Sequence, residues 1–161
     1  MENLNPFNIK VKVDDDETKE ISIKGENLIS EVKHLVGQVQ TKIDEKYLLL
    51  YKDNQLLEDN NTVSSYHITS SDILTIKSSR QGEFLIYFCE DDKKIAKYVV
   101  KEEKVFDAYQ TVKRYFYRKT KWGYDENLVY MGVIIYGMET FGGLKMKEFD
   151  HILVEKDYYE G

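Results

Sequence analysis

One cysteine and one proline stand among 161 residues, with nine glycines and three histidines. A lone Cys89 excludes any disulfide within the chain, so a reducing, intracellular and cytoplasmic setting is expected. So few Pro and Gly exclude a turn-dense sandwich and a long flexible linker. No apolar run approaches the roughly 20 residues that span a bilayer, and no membrane partner is expected. The opening MENLNPFNIK lacks the basic and apolar regions of a secretory signal, so export is not expected either. Charge of one sign is also scarce. The 23 Lys and Arg against 29 Asp and Glu give a net charge of −6, which argues against nucleic acid as the main partner. What is abundant is aromatic and aliphatic mass. Thirteen Tyr and seven Phe within a 42% hydrophobic chain can fill one ordinary core or two small ones.

The chain reads as one unit written twice. Phe7, Ile9 and Val11 alternate as a strand, and so do Phe84, Ile86 and Phe88, 77 residues later. An acidic turn follows each, Asp14–Glu17 and Glu90–Asp92. EISIK (20–24) and KYVVK (97–101) then read as second strands, rich in β-branched and aromatic residues. A helix follows in each half, its stripe formed by Ile29, Val32 and Val36 or by Val105, Ala108 and Val112, which Tyr109 and Phe116 extend. Asn27 is the expected N-cap of the first helix. Third strands are YLLLY (47–51) and LVYMGVII (128–135). The last segment of each half is neither strand nor helix throughout. Val63, Tyr66, Ile68, Leu74 and Ile76 share their spacings with Phe141, Leu144, Met146, Ile152 and Val154. A short helical turn leading into a final strand satisfies that pattern in both places.

Residues LISEVKHLV and LLYKDNQLLEDNNTVSSYHI carry a family likeness. The first resembles the helix signature of ubiquitin, and the second its third strand, its Gln-Leu-Glu-Asp turn and its Tyr-x-Ile segment, with one extra residue near Leu56–Leu57. The resemblance covers roughly residues 7–79, and a second half, 83–157, is similar in spacing but divergent in identity, with Leu144 where the family has Tyr. It implies an α+β fold of two tandem β-grasp domains, 1–81 and 82–161, each a mixed sheet packed on one helix. It also implies that Tyr66 braces the turn before the last strand.

Catalytic patterns are missing. Cys89 sits late in a strand beside Glu90 and Asp91, where nothing activates a thiolate, and His34, His67 and His151 share no metal-ligand spacing. The run Asp14–Glu17 lacks the spaced oxygen ligands of a calcium loop, and Gly142-Gly143 is not followed by the Lys-Ser/Thr of a phosphate loop. No enzyme activity, cofactor or metal is expected. The end Asp157-Tyr158-Tyr159-Glu160-Gly161 lacks the Gly-Gly tail through which the ubiquitin family is conjugated, so conjugation through the C-terminus is not expected, and a tandem ubiquitin-like modifier is kept only as a further alternative.

What remains is binding. In ubiquitin the usual partner patch lies on the outer sheet face; it matches Leu50, Thr75 and Lys77 here, beside Asn8, Lys10 and Lys12. That face is too polar for a hot spot, so ordinary ubiquitin receptors are not expected to bind the first domain. In the second domain alternation turns Leu85, Tyr87 and Cys89 outward, with Val129 and Leu153 alongside. Leu85, Tyr87, Val129 and Leu153 are therefore the expected partner-binding patch. Lys113, Arg114, Arg118, Lys119, Lys121 and Trp122 form a second, basic and aromatic surface, better suited to an acidic protein than to single-stranded nucleic acid. The expected role is a structural or adaptor subunit of a larger intracellular assembly, cytoskeletal or axonemal among the settings. An adaptor of the ubiquitin–proteasome system is the alternative.

Overall fold

The structure is a computed structural model and describes residues 5–116 and 124–158. The chain divides into two compact units, Met1–Arg80 and Gln81–Gly161. In the first, β1 (Phe7–Lys12), β2 (Thr18–Ile23), α1 (Ile29–Val39), β3 (Leu48–Lys52), β4 (Gln55–Leu56) and β5 (Ile73–Ser78) form a sheet of order β2-β1-β5-β3-β4. In the second, β6 (Phe84–Glu90), β7 (Lys93–Val99), α2 (Val105–Val112), β8 (Tyr124–Tyr130), β9 (Val133–Ile135) and β10 (His151–Tyr158) repeat that order as β7-β6-β10-β8-β9. In each unit the first and last strands run parallel and the remaining pairs antiparallel. Each unit is thus an α+β, β-grasp domain.

Alternation makes the cores. Ile9 and Val11 of β1, and Ile86 and Phe88 of β6, point to the helix side and are buried. Ile29, Val32 and Val36 meet them in the first unit; Val105, Ala108, Tyr109 and Val112 do so in the second. The shared spacing has the expected architectural cause. Val63, Ile68 and Leu74 are buried around a 3₁₀ turn, Ser64–Tyr66, while Phe141, Met146, Ile152 and Val154 are buried at matching places. His67 and Lys145 end these turns in left-handed conformations, with φ of 55° at both. Tyr66 does brace its turn: its hydroxyl accepts the Glu58 N–H at 2.9 Å and an Asn61 amide N–H at 3.0 Å. Leu144 has no hydroxyl for such a bond and packs against the core instead.

Three local expectations are corrected. The N-cap of α1 is Leu28, because the Asn27 side chain is committed elsewhere, accepting the Lys24 N–H at 2.7 Å. Leucine has no capping atom; the helix start is held by Glu31, whose carboxylate accepts the Leu28 N–H at 3.2 Å. Residues 128–135 are two strands, since Met131 and Gly132 take positive φ of 51° and 79° and turn the chain back so that Tyr130 faces Val133. Asp53 and Asn54 make the same turn in the first unit, with φ of 49° and 66°. The helix of the second unit ends at Val112 and passes into a 3₁₀ turn, Lys113–Tyr115, so Phe116 lies beyond the helix whose stripe it was expected to extend.

Candidate functional site

The ladders fix which side chains share the outer face of each sheet, the face away from the helix. In the second domain Val129 of β8 lies directly opposite Leu153 of β10, Leu153 stands beside Cys89 of β6, and His151 beside Tyr87. Leu85 lies opposite Tyr98, Tyr87 opposite Ala96, and Ile134 of β9 opposite Val129. Leu85, Tyr87, Val129 and Leu153 therefore do lie on one face, which Ile134, Ala96 and Tyr98 widen.

Their exposure differs from the expectation. Leu85 and Val129 are only 8% and 7% exposed, whereas Leu153 is 49% exposed. Neither buried residue belongs to the helix-side core. The Leu85 backbone is fastened to the loop before β10, where Glu148 accepts its N–H at 2.7 Å and Phe149 donates its own N–H to the Leu85 carbonyl at 2.7 Å. Val129 is flanked across both its ladders by the large side chains of Leu153 and Ile134. These two form the floor of the face. Its reachable part is Tyr87, Leu153 and Ile134, with Phe149 exposed in the adjoining loop, and alternation alone could not separate floor from rim.

Phe149 was not singled out in the sequence. It is 61% exposed and holds φ at 69°, a backbone conformation uncommon for any residue but glycine or asparagine and strained for a bulky side chain. Its only sequence signal is an aromatic between charged residues in KEFDH, where a solvated loop would carry a small polar residue.

Polar groups edge this face and fix its geometry. His151 meets the Tyr87 ring edge-on at 5.2 Å, and the Lys94 ammonium sits over the same ring at 3.9 Å from its centre. Burial pushes the Cys89 thiol above its ordinary pKa, and Lys94 only partly opposes this, so the neutral thiol prevails near neutral pH. The loop that carries Phe149 is anchored by Asp150, which accepts the Tyr130 hydroxyl at 2.6 Å and the Lys147 N–H at 2.9 Å. Those two bonds, the Tyr130 bond foremost, hold the Asp150 carboxyl below the usual range, and the same bond, with burial, raises the Tyr130 hydroxyl.

The matching face of the first domain has another character. Asn8, Lys10 and Lys12 occupy β1, Glu20 faces Lys10, and Thr75 and Lys77 follow on β5. Leu50 is not among them. It lies opposite Ile76 and is fully buried on the helix side, because burial in β3 falls on Leu48 and Leu50 and leaves Leu49 and Tyr51 outward. Lys77 covers the Tyr51 ring at 5.1 Å. Cations thread this face from end to end.

The second surface is partly described. Lys113 forms an ion pair with Glu126 at 3.7 Å, and the Arg114 guanidinium lies over the Tyr115 ring at 4.9 Å and donates to its hydroxyl at 2.9 Å. Glu126 also accepts the Tyr109 hydroxyl. Arg118, Lys119, Lys121 and Trp122 lie outside the described residues. No group of three or more His, Cys, Asp or Glu side chains able to hold a metal occurs among the described residues. Asp14 of the acidic turn is paired with Lys42, which lowers its pKa. His34 contacts Glu45 at 2.8 Å and Gln38 at 3.3 Å along an open groove of α1. No helix among the described residues is long and apolar enough to cross a membrane.

The sheet order, the parallel pairing of outermost chain segments at its centre and the single packed helix define the class: β-grasp domains in tandem. Residues 9–79 match the Ubiquitin family, and the first unit is a ubiquitin-like domain. The second is divergent, with the same fold. Two ubiquitin-like domains are among the solved structures that resemble the chain. The ubiquitin-like domain of an Arabidopsis thaliana protein is 17% identical, with 47% of this chain and 79% of that one covered and a TM-score of 0.42. The UBL domain of Plasmodium falciparum Dsk2 is 12% identical, with 45% and 96% covered and a TM-score of 0.42. Comparison with curated proteins finds no match. A ubiquitin-like domain points to protein–protein interaction as the class of function.

Proposed function

We propose that the chain is a non-enzymatic interaction module, a small structural or adaptor subunit of a larger protein assembly, which docks its partner on the outer sheet face of the second domain. One observation carries this reading. At matched positions of the two sheets, Lys10, Lys12 and Thr75 give way to Tyr87, Cys89 and Leu153. A sheet face that only meets water alternates to polar residues, and the first is polar along β1 and at Thr75 and Lys77, with Ile73 exposed beside Lys10. An apolar centre with an aromatic rim is the composition of an interface.

The reachable residues recognise an apolar protein surface, with Lys94 at one corner and Glu155 at the other supplying polar register. Cytoskeletal or axonemal assemblies are settings that such a subunit suits. The ubiquitin-like character of the first domain keeps a ubiquitin–proteasome adaptor as the second reading. The cations on that domain's own face count against its use in the ordinary receptor mode.

The test uses the full chain as bait in native extract, with Leu153→Asp and Phe149→Asn as variants. Leu153→Asp places a charge where the face is reachable. Phe149→Asn removes the exposed ring and leaves a residue that tolerates positive φ, so it should not weaken the fold. Both variants should keep wild-type circular dichroism and lose the specifically captured proteins. Capture of an unchanged set by both variants would overturn the proposal.

A further inference from the structure

Each sheet has two edge strands, and three of the four are guarded by charge. β2 carries Lys19 and Glu20, β7 carries Lys93 and Lys94, and β4 is flanked by Asp53, Glu58 and Asp59. Such charges keep sheet edges from pairing with other chains. β9 has no guard. From Met131 to Met138 the sequence MGVIIYGM contains no charged residue and no proline. Met131, Val133, Ile134, Tyr136 and Met138 are all exposed, Met131 at 84% and Val133 at 68%. Short, uncharged, β-branched segments of this kind are those that pair edge to edge.

The register shows what the edge offers. In the first domain the Leu57 N–H donates to the Leu50 carbonyl at 2.9 Å, so in that hairpin Leu57 is bonded across to β3 and Leu56, one residue earlier, faces outward. Bonded and non-bonded pairs alternate along an antiparallel ladder. In the second domain Ile135 and Leu128 occupy the bonded place, and so do Val133 and Tyr130; Ile134 is the residue whose N–H and carbonyl both face the open edge.

We propose that β9 is a self-association edge, and that its occupant is the β9 strand of a second copy of this chain, antiparallel about a two-fold axis at Ile134. In that register Ile134 meets Ile134 of the second copy and exchanges both backbone bonds with it. Val133 meets Ile135, so every cross-strand pair is β-branched. Tyr136 falls opposite Gly132, which has open space around it. No like charges are brought opposite each other, although each chain carries a net charge of −6. A three-residue ladder is small beside the roughly 1,200–2,000 Å² of stable complexes, so the dimer is weak and concentration-dependent. The contact is made by the backbone edge of the strand and adjoins the face assigned to the partner protein, on which the Ile134 side chain lies.

Sedimentation velocity of the full chain, from low micromolar to near-millimolar concentration, tests this directly. The weight-average mass should rise towards twice the monomer value. Ile134→Lys places like charges at the two-fold and should keep the chain monomeric throughout. Leu56→Lys, at the matched place in the first domain, should leave the dimer intact. Hydrogen exchange needs no variant: the Ile134 amide should exchange freely at low concentration and become at least tenfold protected at high concentration. A mass independent of concentration overturns the proposal, as does a dimer that survives Ile134→Lys. A monomer that instead protects the Ile134 amide only on adding an apolar, strand-forming peptide would give the edge to a foreign strand and equally overturn self-pairing.

Discussion

At the end of the third strand the two domains fasten the same loop with different chemistry. In the first, Lys52 reaches Asp72 at 3.6 Å and donates to the Tyr66 carbonyl at 3.0 Å. In the second, Tyr130 stands at the place of Lys52 and donates its hydroxyl to Asp150, the counterpart of Asp72, at 2.6 Å. Both aspartates also close their own loop, accepting the N–H of Thr69 at 2.8 Å or of Lys147 at 2.9 Å. The shared part, an aspartate folding back on its loop, belongs to the β-grasp architecture. The variable part is the donor: the Lys52 ammonium serves both the carboxylate and the Tyr66 carbonyl, whereas Tyr130 gives the carboxylate one hydroxyl bond and packs its ring against the core.

Four measurements break or sharpen this comparison, each on the full chain with hydrogen exchange read separately in β5 and β10. The largest effect is expected at Phe88, fully buried and 5.6 Å from the Tyr109 ring centre. Phe88→Ala should cost the second domain about 3–5 kcal/mol and leave protection in β5 unchanged. If β5 loses protection equally, the domains are not separate folding units. Next, Tyr130→Phe removes a bond to a charged acceptor and should cost about 1.5–3 kcal/mol in β10. Its pH signature follows from the two shifts. The Asp150 carboxyl is lowered, so its contribution is present above the ordinary aspartate value of about 3.9 and fades as pH falls through the lowered one. The Tyr130 hydroxyl is raised, so its contribution is full below about 10 and fades as pH climbs through the raised value. A wild-type profile that Tyr130→Phe leaves unaltered would show that this bond does not stabilise the domain.

A smaller gain is expected from Met131→Asn. Asn-Gly suits a two-residue turn in which both residues have positive φ, and a Met there costs conformational energy. The substitution should stabilise the second domain by about 1 kcal/mol, seen as slower exchange in β10. The smallest effect concerns salt. The partly exposed Lys52–Asp72 pair should weaken by about 0.5 kcal/mol in molar NaCl, whereas the Tyr130–Asp150 bond should not respond.

Much of this architecture was readable from spacing. Val63, Ile68 and Leu74 against Phe141, Met146 and Ile152 preserve the same offsets because burial on one side of one fold demands them. Elements that depend on backbone φ were hidden. LVYMGVII looks like one strand because Met131 carries no turn signature, whereas Asp53-Asn54 announces the same turn openly. Leu50 was placed outward by the position-by-position match to the family's patch; LLLY is apolar at every position, so composition could not check that phase, and only the pairing with Ile76 supplies it. For the candidate site, alternation put Leu85, Tyr87, Val129 and Leu153 on one face. It had no means of showing that Leu85 is buried and bonded through its backbone to Glu148 and Phe149, because loop placement is not periodic.

The strand at the middle of each sheet is the last one in its domain, and this sets an order in time. β10 sits between β6 and β8 and bonds to both, so the sheet cannot close until His151–Tyr158 is available. The hairpin of β8 and β9 needs only a two-residue turn and can form in about 1–10 μs. Closing β6 onto β10 joins residues more than sixty positions apart and is far slower. During that interval the hairpin lacks its neighbour on one side and carries the uncharged edge of Met131–Met138 on the other. The segment most apt to pair with a second chain is thus exposed earliest and longest, and the yield of refolding should fall with protein concentration in the second domain before the first.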